Sequence, residues 1–171
     1  MTSFARTVLL ALCMSINFLL PAAAAEIAKP EGPVILRVTG SGAAANVGDT
    51  VAFDLDMLRD LESRTIQTST IWTDGDQEFT GISLSTLIDL LTLEGSHLRA
   101  RAINDYAVDI PMEDALSGDA MIAYARNGKP MSVREKGPLW IIYPYDSDPR
   151  FQAEVYYARS IWQLDRIEVI D

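Results

Sequence analysis

The stretch Phe79–Leu91, FTGISLSTLIDLL, decides the fold, because within it the chain turns into an amphipathic helix. Ser83 occupies the position expected of a helix N-cap, and Gly95 is predicted to end the helix. Four apolar residues follow Ser83 at helical spacing: Leu84, Leu87, Ile88 and Leu91. This face is therefore expected to pack on the core.

Short strands are predicted on both sides of this helix. Apolar or β-branched runs predict strands over 34–39, 66–72, 98–103, 106–110, 121–126, 139–143 and 162–170. Turns are predicted at Asp74-Gly75, Asn104-Asp105 and Asn127-Gly128. Two further short helices are expected, one capped by Asp54 and one from Pro111 to Leu116. The pattern indicates a single compact α+β domain with short, mixed, mostly antiparallel strands and two or three short helices.

A signal peptide is predicted over residues 1–25. Arg6 precedes an apolar run of 13 residues from Val8 to Leu20, which is shorter than the roughly 20 that span a bilayer. Ala23 and Ala25 supply the small residues of a cleavage site. The predicted mature domain, 26–171, contains no cysteine and therefore tolerates an oxidising compartment, so we expect a periplasmic protein.

The charge balance excludes several kinds of partner. The whole chain carries 14 Lys+Arg against 24 Asp+Glu, a net charge of −10, which argues against nucleic acid and against direct insertion into an acidic membrane. One Cys and one His exclude a Cys/His zinc site and a disulfide framework. No metal site and no catalytic residue is predicted.

Four phrases resemble the molybdopterin-binding domain of the sulfite-oxidase family of oxidoreductases. In chain order they are FTGISLSTLIDLL, INDYAVDIP, RNGKPMSVREKGPLWIIYP and SIWQLDRIEV, and they cover most of residues 70–170. The resemblance implies a compact α+β fold with a pocket of pterin size.

The chain departs from this family at the metal ligand. The family places a molybdenum-ligating cysteine before the FTG helix, because a soft anionic sulfur holds the metal. Here residues 65–77 read TIQTSTIWTDGDQ, and Cys13 lies in the predicted signal peptide. We therefore expect that the metal has been lost and that no molybdenum cofactor is bound.

The chain also resembles small secreted members of this fold that act as periplasmic pterin-binding proteins. That resemblance implies a non-catalytic protein that binds a reduced, metal-free pterin and signals to the periplasmic region of a membrane-bound cyclic-di-GMP enzyme. The alternatives are a molybdopterin-dependent oxidoreductase without a cysteine ligand, and a protein-interaction module with a vestigial pocket.

Six residues are candidates for the pterin site. Trp72 and Tyr106 are expected to stack on the ring, and Asp105 to accept from the amino-pyrimidine edge. Arg134 would donate to the ring carbonyl, while Arg159 or Trp162 would close the side-chain end.

Each candidate has a structural alternative. Asp105 can be a turn residue, Trp72 can cover the edge of the core, and Tyr106 can pack on a strand. Trp162 is equally open to a place in the core, and Arg159 to a surface ion pair. Arg134 can be a solvated loop charge, but the family resemblance favours it as a site residue.

Overall fold

The computed structural model describes residues 27–40 and 42–171. The predicted signal peptide, 1–25, lies outside the described residues, and its boundary with the domain stays a prediction. No helix in the described ranges is long and apolar enough to cross a membrane.

Ten strands and four short α-helices make up the described part of the chain. The strands are β1 (Leu36–Thr39), β2 (Val51–Phe53), β3 (Ser63–Thr70), β4 (Thr73–Ser83), β5 (His97–Ala102), β6 (Ala107–Pro111), β7 (Met121–Arg126), β8 (Lys129–Pro130), β9 (Trp140–Ile142) and β10 (Leu164–Ile170). The helices are α1 (Leu55–Arg59), α2 (Leu84–Leu91), α3 (Met112–Leu116) and α4 (Glu154–Arg159), with 3₁₀ turns at Val133–Glu135 and Pro149–Gln152.

The described strands form two sheets. One has the order β2-β1-β10-β5-β6, and the other has the order β3-β4-β7-β8, with β9 also paired to β7. Only β1 and β10 pair in parallel among these strands. The predicted α+β domain with a mostly antiparallel arrangement is confirmed, although the described residues contain four α-helices rather than two or three.

The helix that decides the fold forms as predicted, as α2. The Ser83 hydroxyl accepts a hydrogen bond from the Thr86 N–H at 3.0 Å, and the four predicted apolar residues are buried. The predicted end at Gly95 is wrong, because Thr92 already terminates the helix in a left-handed conformation with φ of 50°. A Cβ on Gly95 would lie 2.4 Å from the Val169 side chain, so this glycine permits close approach to β10.

The turn between β3 and β4 also differs from the prediction. Asp74-Gly75 lies inside β4, and the chain reverses three residues earlier, at Ile71-Trp72. The Thr70 and Thr73 hydroxyls are 2.7 Å apart across this reversal and hydrogen bond to each other. The earlier turn places Trp72 at the tip of the hairpin, where its side chain reaches the cavity described below.

Candidate functional site

A cavity of about 500 Å³ opens beside the tip of the β3–β4 hairpin. Its volume lies in the range of about 300–1,000 Å³ that is typical of small-molecule sites. The lining comes from the β3–β4 turn, the β5–β6 hairpin, α4 and the segment that enters β10. These residues are Trp72, Ala102, Asn104, Tyr106, Glu154, Tyr157, Ala158, Ser160, Ile161 and Trp162.

Aromatic rings form one wall of this cavity, and Trp72 lies at their centre. Its ring centroid is 5.6 Å from that of Trp162 and 5.7 Å from those of Trp140 and Tyr157. The Trp162 and Tyr157 rings meet Trp72 edge to face, the arrangement that aromatic quadrupoles favour. A flat heteroaromatic ligand would therefore meet a preformed aromatic surface.

Trp72 is positioned by polar contacts at the end of β3. Its backbone N–H donates to the Thr70 hydroxyl at 3.1 Å. One residue before Thr70, the Ser69 N–H and hydroxyl donate to the Asp146 carboxylate at 2.5 and 2.8 Å. These donors lower the pKa of the Asp146 carboxyl below its ordinary value. The carboxylate thus fastens the hairpin to the 144–150 loop.

The floor beneath the aromatic wall is buried and fully hydrogen bonded. Trp140 is completely buried, and its indole N–H donates to the Ser160 carbonyl at 3.1 Å. The Ser160 hydroxyl lies 2.5 Å from the Tyr145 hydroxyl and donates to the Tyr156 carbonyl at 2.7 Å. Burial raises the pKa of Tyr145 well above its ordinary value, so the phenol stays protonated.

The polar groups in the lining are few and include one carboxylate. Glu154 lies on the first turn of α4, is exposed, and makes no hydrogen bond or ion pair with any described residue. The Asn104 side-chain oxygen accepts from the Tyr106 N–H at 3.2 Å, which leaves its amide nitrogen free to donate. Among the described lining residues none is Arg or Lys.

Three of the six predicted site residues line the cavity. Trp72, Tyr106 and Trp162 come together there from three separate segments. Tyr106 and Trp162 are 58% and 38% exposed, so both present apolar surface to solvent. Their role in binding a ligand stays a prediction.

Asp105 lies next to the cavity but is turned away from it. It occupies the turn of the β5–β6 hairpin with φ of 66°, and its carboxylate accepts from Arg166 Nη2 at 2.7 Å. Its neighbour Asn104 lines the cavity instead. The structure therefore places Asp105 in a turn and an ion pair, with a different carboxylate, Glu154, at the cavity.

Neither predicted arginine lines the cavity. Arg159 Nη1 lies 3.4 Å from Asp114 Oδ2, which also accepts from the Tyr143 hydroxyl at 2.7 Å. This cluster links α4 to α3, so Arg159 has a structural partner. Arg134 is exposed in the 3₁₀ turn and has no hydrogen bond or ion pair within the described residues.

The sequence reasoning missed the contribution of α4. Glu154, Tyr157 and Ala158 all line the cavity, and they recur at i, i+3 and i+4, the spacing of one helix face. That spacing is the sequence signal from which this helix face could have been predicted. It is weak because the helix has only six residues, and its two tyrosines are adjacent in the sequence and so do not share one face.

The comparisons with known proteins agree on the family and the fold. A sequence model described as the oxidoreductase molybdopterin binding domain matches residues 36–171. The crystal structure of the sulfane dehydrogenase SoxCD from Paracoccus pantotrophus is similar, with a TM-score of 0.57 and 17% sequence identity. The match covers 80% of this chain and 38% of that one. No curated protein sequence gives a significant match.

The residues at the cavity do not fit a molybdenum-bearing cofactor. Residues 65–77, where the thiolate is expected, form the β3–β4 hairpin without a cysteine. Within the described residues no three His, Cys, Asp or Glu side chains are grouped to hold a metal. The lining also lacks the cations that a cofactor phosphate requires. Since the family match spans most of the chain, the protein nevertheless belongs to the oxidoreductase molybdopterin-binding domain family, as its sequence motifs predicted.

Proposed function

We propose that the protein is a non-catalytic binding protein for a reduced pterin, which it holds without metal in the aromatic cavity. The observation that carries this proposal is the combination of a preformed aromatic wall with a single unpaired carboxylate and no thiol or cation among the described lining residues. A flat, nitrogen-rich ring with adjacent N–H donors matches this surface.

The polar residues suit the edge of a pterin. The amino-pyrimidine edge offers two adjacent N–H groups, which one carboxylate accepts in a bidentate manner, and Glu154 is available for this. The free amide nitrogen of Asn104 would donate to the ring carbonyl. Trp72, Trp162 and Tyr157 would contact the ring faces.

The charge of the lining favours a pterin without phosphate. A phosphate ester within the cavity would lie near Glu154, and none of the described lining residues is Arg or Lys. The Lys136 ammonium contacts the wall, but it lies over the Trp162 ring, 4.1 Å from the ring centroid. The family cofactor carries a phosphate, so this cavity is expected to prefer a simpler pterin.

The site of action and the partner follow from the sequence. The predicted signal peptide supports a periplasmic location. The resemblance to secreted pterin-binding proteins supports signalling to a membrane-bound cyclic-di-GMP enzyme through its periplasmic region. Ligand-loaded and empty forms would then differ in their affinity for that enzyme.

The first test uses the mature protein isolated from a bacterial periplasm. The protein is denatured, and the released material is assayed for molybdenum by elemental analysis and for pterin by its fluorescence after oxidation. Pterin without molybdenum supports the proposal. Molybdenum with pterin would establish the oxidoreductase that the family match favours, and protein free of both would leave an interaction module with a vestigial pocket.

A matched pair of variants shows whether the cavity holds the pterin. Trp72→Ala should lower pterin retention about 5- to 150-fold, because loss of one stacking ring costs about 1–3 kcal/mol. Ile71→Ala alters the neighbouring residue, which is 63% exposed and does not line the cavity, and it should retain pterin as the wild type does. Equal retention by both variants, with folding intact by circular dichroism, would place the ligand elsewhere.

A further inference from the structure

Three arginines form a row across adjacent strands on the outer face of the first sheet. Arg37 on β1 pairs in register with Arg166 on β10, and Arg166 pairs with Arg101 on β5. All three line one surface groove of about 260 Å³, together with Thr39, Thr50, Ile167 and Glu168. We call this groove the arginine row; it shares no lining residue with the aromatic cavity.

Repulsion among the three guanidinium groups of the arginine row destabilises the sheet. Like charges directly opposite each other on neighbouring strands destabilise a sheet. Arg166 is compensated, because it donates to Asp105 at 2.7 Å and to Asp165 at 3.1 Å, and these carboxylates raise its pKa. Arg37 and Arg101 make no hydrogen bond or ion pair with any residue in the described ranges. Two guanidinium groups without a hydrogen-bonded carboxylate thus flank one that has two, and the Asp109 carboxylate acts on Arg101 only through space.

This arrangement is unusual in a chain with a net charge of −10, in which carboxylates are plentiful. Arg99, two residues before Arg101 on the same face of β5 and also half-buried, shows the contrast. Arg99 donates to the carboxylate of Asp109 at 2.8 and 2.9 Å in a bidentate pair, and this raises the pKa of Arg99. The Asp109 carboxylate is therefore hydrogen bonded to Arg99, whereas the guanidinium N–H groups of Arg37 and Arg101 remain available to an external anion.

We propose that the arginine row is a docking site for an acidic segment of a partner protein. Guanidinium groups bind carboxylates in a planar, bidentate geometry. The backbones of Arg37 and Arg101 are two strand spacings apart, about 10 Å, so the two side chains would each meet a separate carboxylate of one segment. Glu168 in the same groove disfavours a compact polyanion, whereas a peptide positions its carboxylates away from it.

The test measures binding of a fluorescently labelled hexaglutamate peptide to the full chain by anisotropy at low ionic strength. Arg37→Gln and Arg101→Gln should each weaken binding about tenfold, and added salt should weaken binding to the wild type. Lys129→Gln removes the same charge on β8 of the other sheet, where Lys129 has no hydrogen bond or ion pair in the described residues, and should bind as the wild type does.

Thermal unfolding separates a docking role from a structural one. Because Arg37→Gln and Arg101→Gln relieve like-charge repulsion, each should raise the melting temperature, whereas Lys129→Gln should leave it unchanged. The proposal is overturned if both arginine variants bind the peptide as tightly as the wild type, or if both lower the melting temperature. It is also overturned if inorganic phosphate displaces the peptide at equal concentration, or if the row instead mediates self-association of this chain in sedimentation.

Discussion

The carboxylate of Asp105 accepts a hydrogen bond from Arg166 at 2.7 Å and so joins the tip of the β5–β6 hairpin to the arginine row. The two residues are 61 positions apart in the chain. The residues on either side of Asp105, Asn104 and Tyr106, line the aromatic cavity. One ion pair therefore connects the element that carries part of the cavity with the groove proposed to dock a partner.

Asp105→Asn tests whether Asp105 contributes to ligand binding in the aromatic cavity or to the arginine row. Asn tolerates the left-handed backbone of this turn, so the hairpin is retained. Pterin retention should stay at the wild-type level, because the Asp105 side chain does not line the cavity. Hexaglutamate affinity should rise by up to about fivefold, because an exposed ion pair of about 0.2–1 kcal/mol no longer competes for Arg166. Loss of pterin, measured by calorimetric titration, would instead make Asp105 a ligand residue.

Glu154→Gln tests the carboxylate at the cavity. We expect affinity for an unphosphorylated reduced pterin to fall about tenfold, because hydrogen bonds to a charged acceptor exceed neutral ones by about 1–1.5 kcal/mol. Affinity for a phosphorylated pterin should fall less, since removal of the repulsion offsets part of the same hydrogen-bond loss. Anaerobic calorimetry measures both.

The control for this experiment is Glu94→Gln, which removes an exposed carboxylate outside the cavity lining. It should change neither affinity. If Glu154→Gln and Glu94→Gln behave alike, Glu154 does not contact the ligand.

Arg159→Met tests the structural role of this arginine. The side chains of Arg159 and Asp114 are only 21% and 14% exposed, so the lost contact should lower the free energy of unfolding by about 1–3 kcal/mol. Methionine keeps much of the apolar stem that packs beside Tyr156. Urea denaturation gives the stability, and Arg159→Lys, which keeps the charge, should lose less. Pterin retention should match that of the wild type; a loss in the folded variant would restore Arg159 to the ligand site.

Asp54→Asn tests the cap of α1 through its pH dependence. Asp54 Oδ1 accepts from the Met57 N–H at 2.9 Å, and Oδ2 accepts from the Gly32 N–H at 2.7 Å and the Glu31 N–H at 2.9 Å. These donors, with Met57 first, lower the pKa of Asp54 below its ordinary value of 3.8. The stability that Asp54 contributes is therefore present above that value and is lost as the pH falls through the lower, folded-state pKa.

At pH 7 the free energy of unfolding of Asp54→Asn should accordingly be lower than that of the wild type. The difference between the two free energies should narrow as the pH falls below about 3.8. Urea denaturation across the pH range measures this. The control is Asp56→Asn, whose side chain is 87% exposed in the same helix, and its difference from the wild type should stay small. If the difference in free energy of unfolding between Asp54→Asn and the wild type is constant with pH, the charge of Asp54 does not contribute to stability.

Local sequence signals predicted the elements whose patterns are complete within a few residues. The strand Met121–Arg126 is observed with the predicted bounds, and Asn127-Gly128 turns the chain after it. Asp54 and Ser83 cap their helices as predicted. Each of these features depends on a side chain that acts on backbone groups close by in the chain.

Features that depend on tertiary contacts were not predicted. The pairing of Asp105 with Arg166, and of Arg159 with Asp114, joins residues 61 and 45 positions apart, and no local pattern selects between such partners. Gly81, in the FTGISLSTLIDLL phrase, also has a role that depends on a distant contact. A Cβ there would lie 2.0 Å from the Ile122 carbonyl oxygen, so the glycine is required by the close approach of β4 and β7. Three aromatic residues of the cavity lining, Trp72, Tyr106 and Trp162, could be predicted from the sequence, but its carboxylate, Glu154, could not.

The aromatic cluster has an optical consequence. The chain contains three tryptophans, and their ring centroids lie within 5.6–6.5 Å of one another. At this separation excitation energy is expected to transfer among the three rings. The whole of the tryptophan emission therefore originates beside the cavity. Its lifetime, quenching and wavelength should change when a ligand binds to the aromatic wall or when the wall unfolds. In denaturation, a tryptophan signal that changes before the far-ultraviolet dichroism would mark local opening of the cavity ahead of global unfolding.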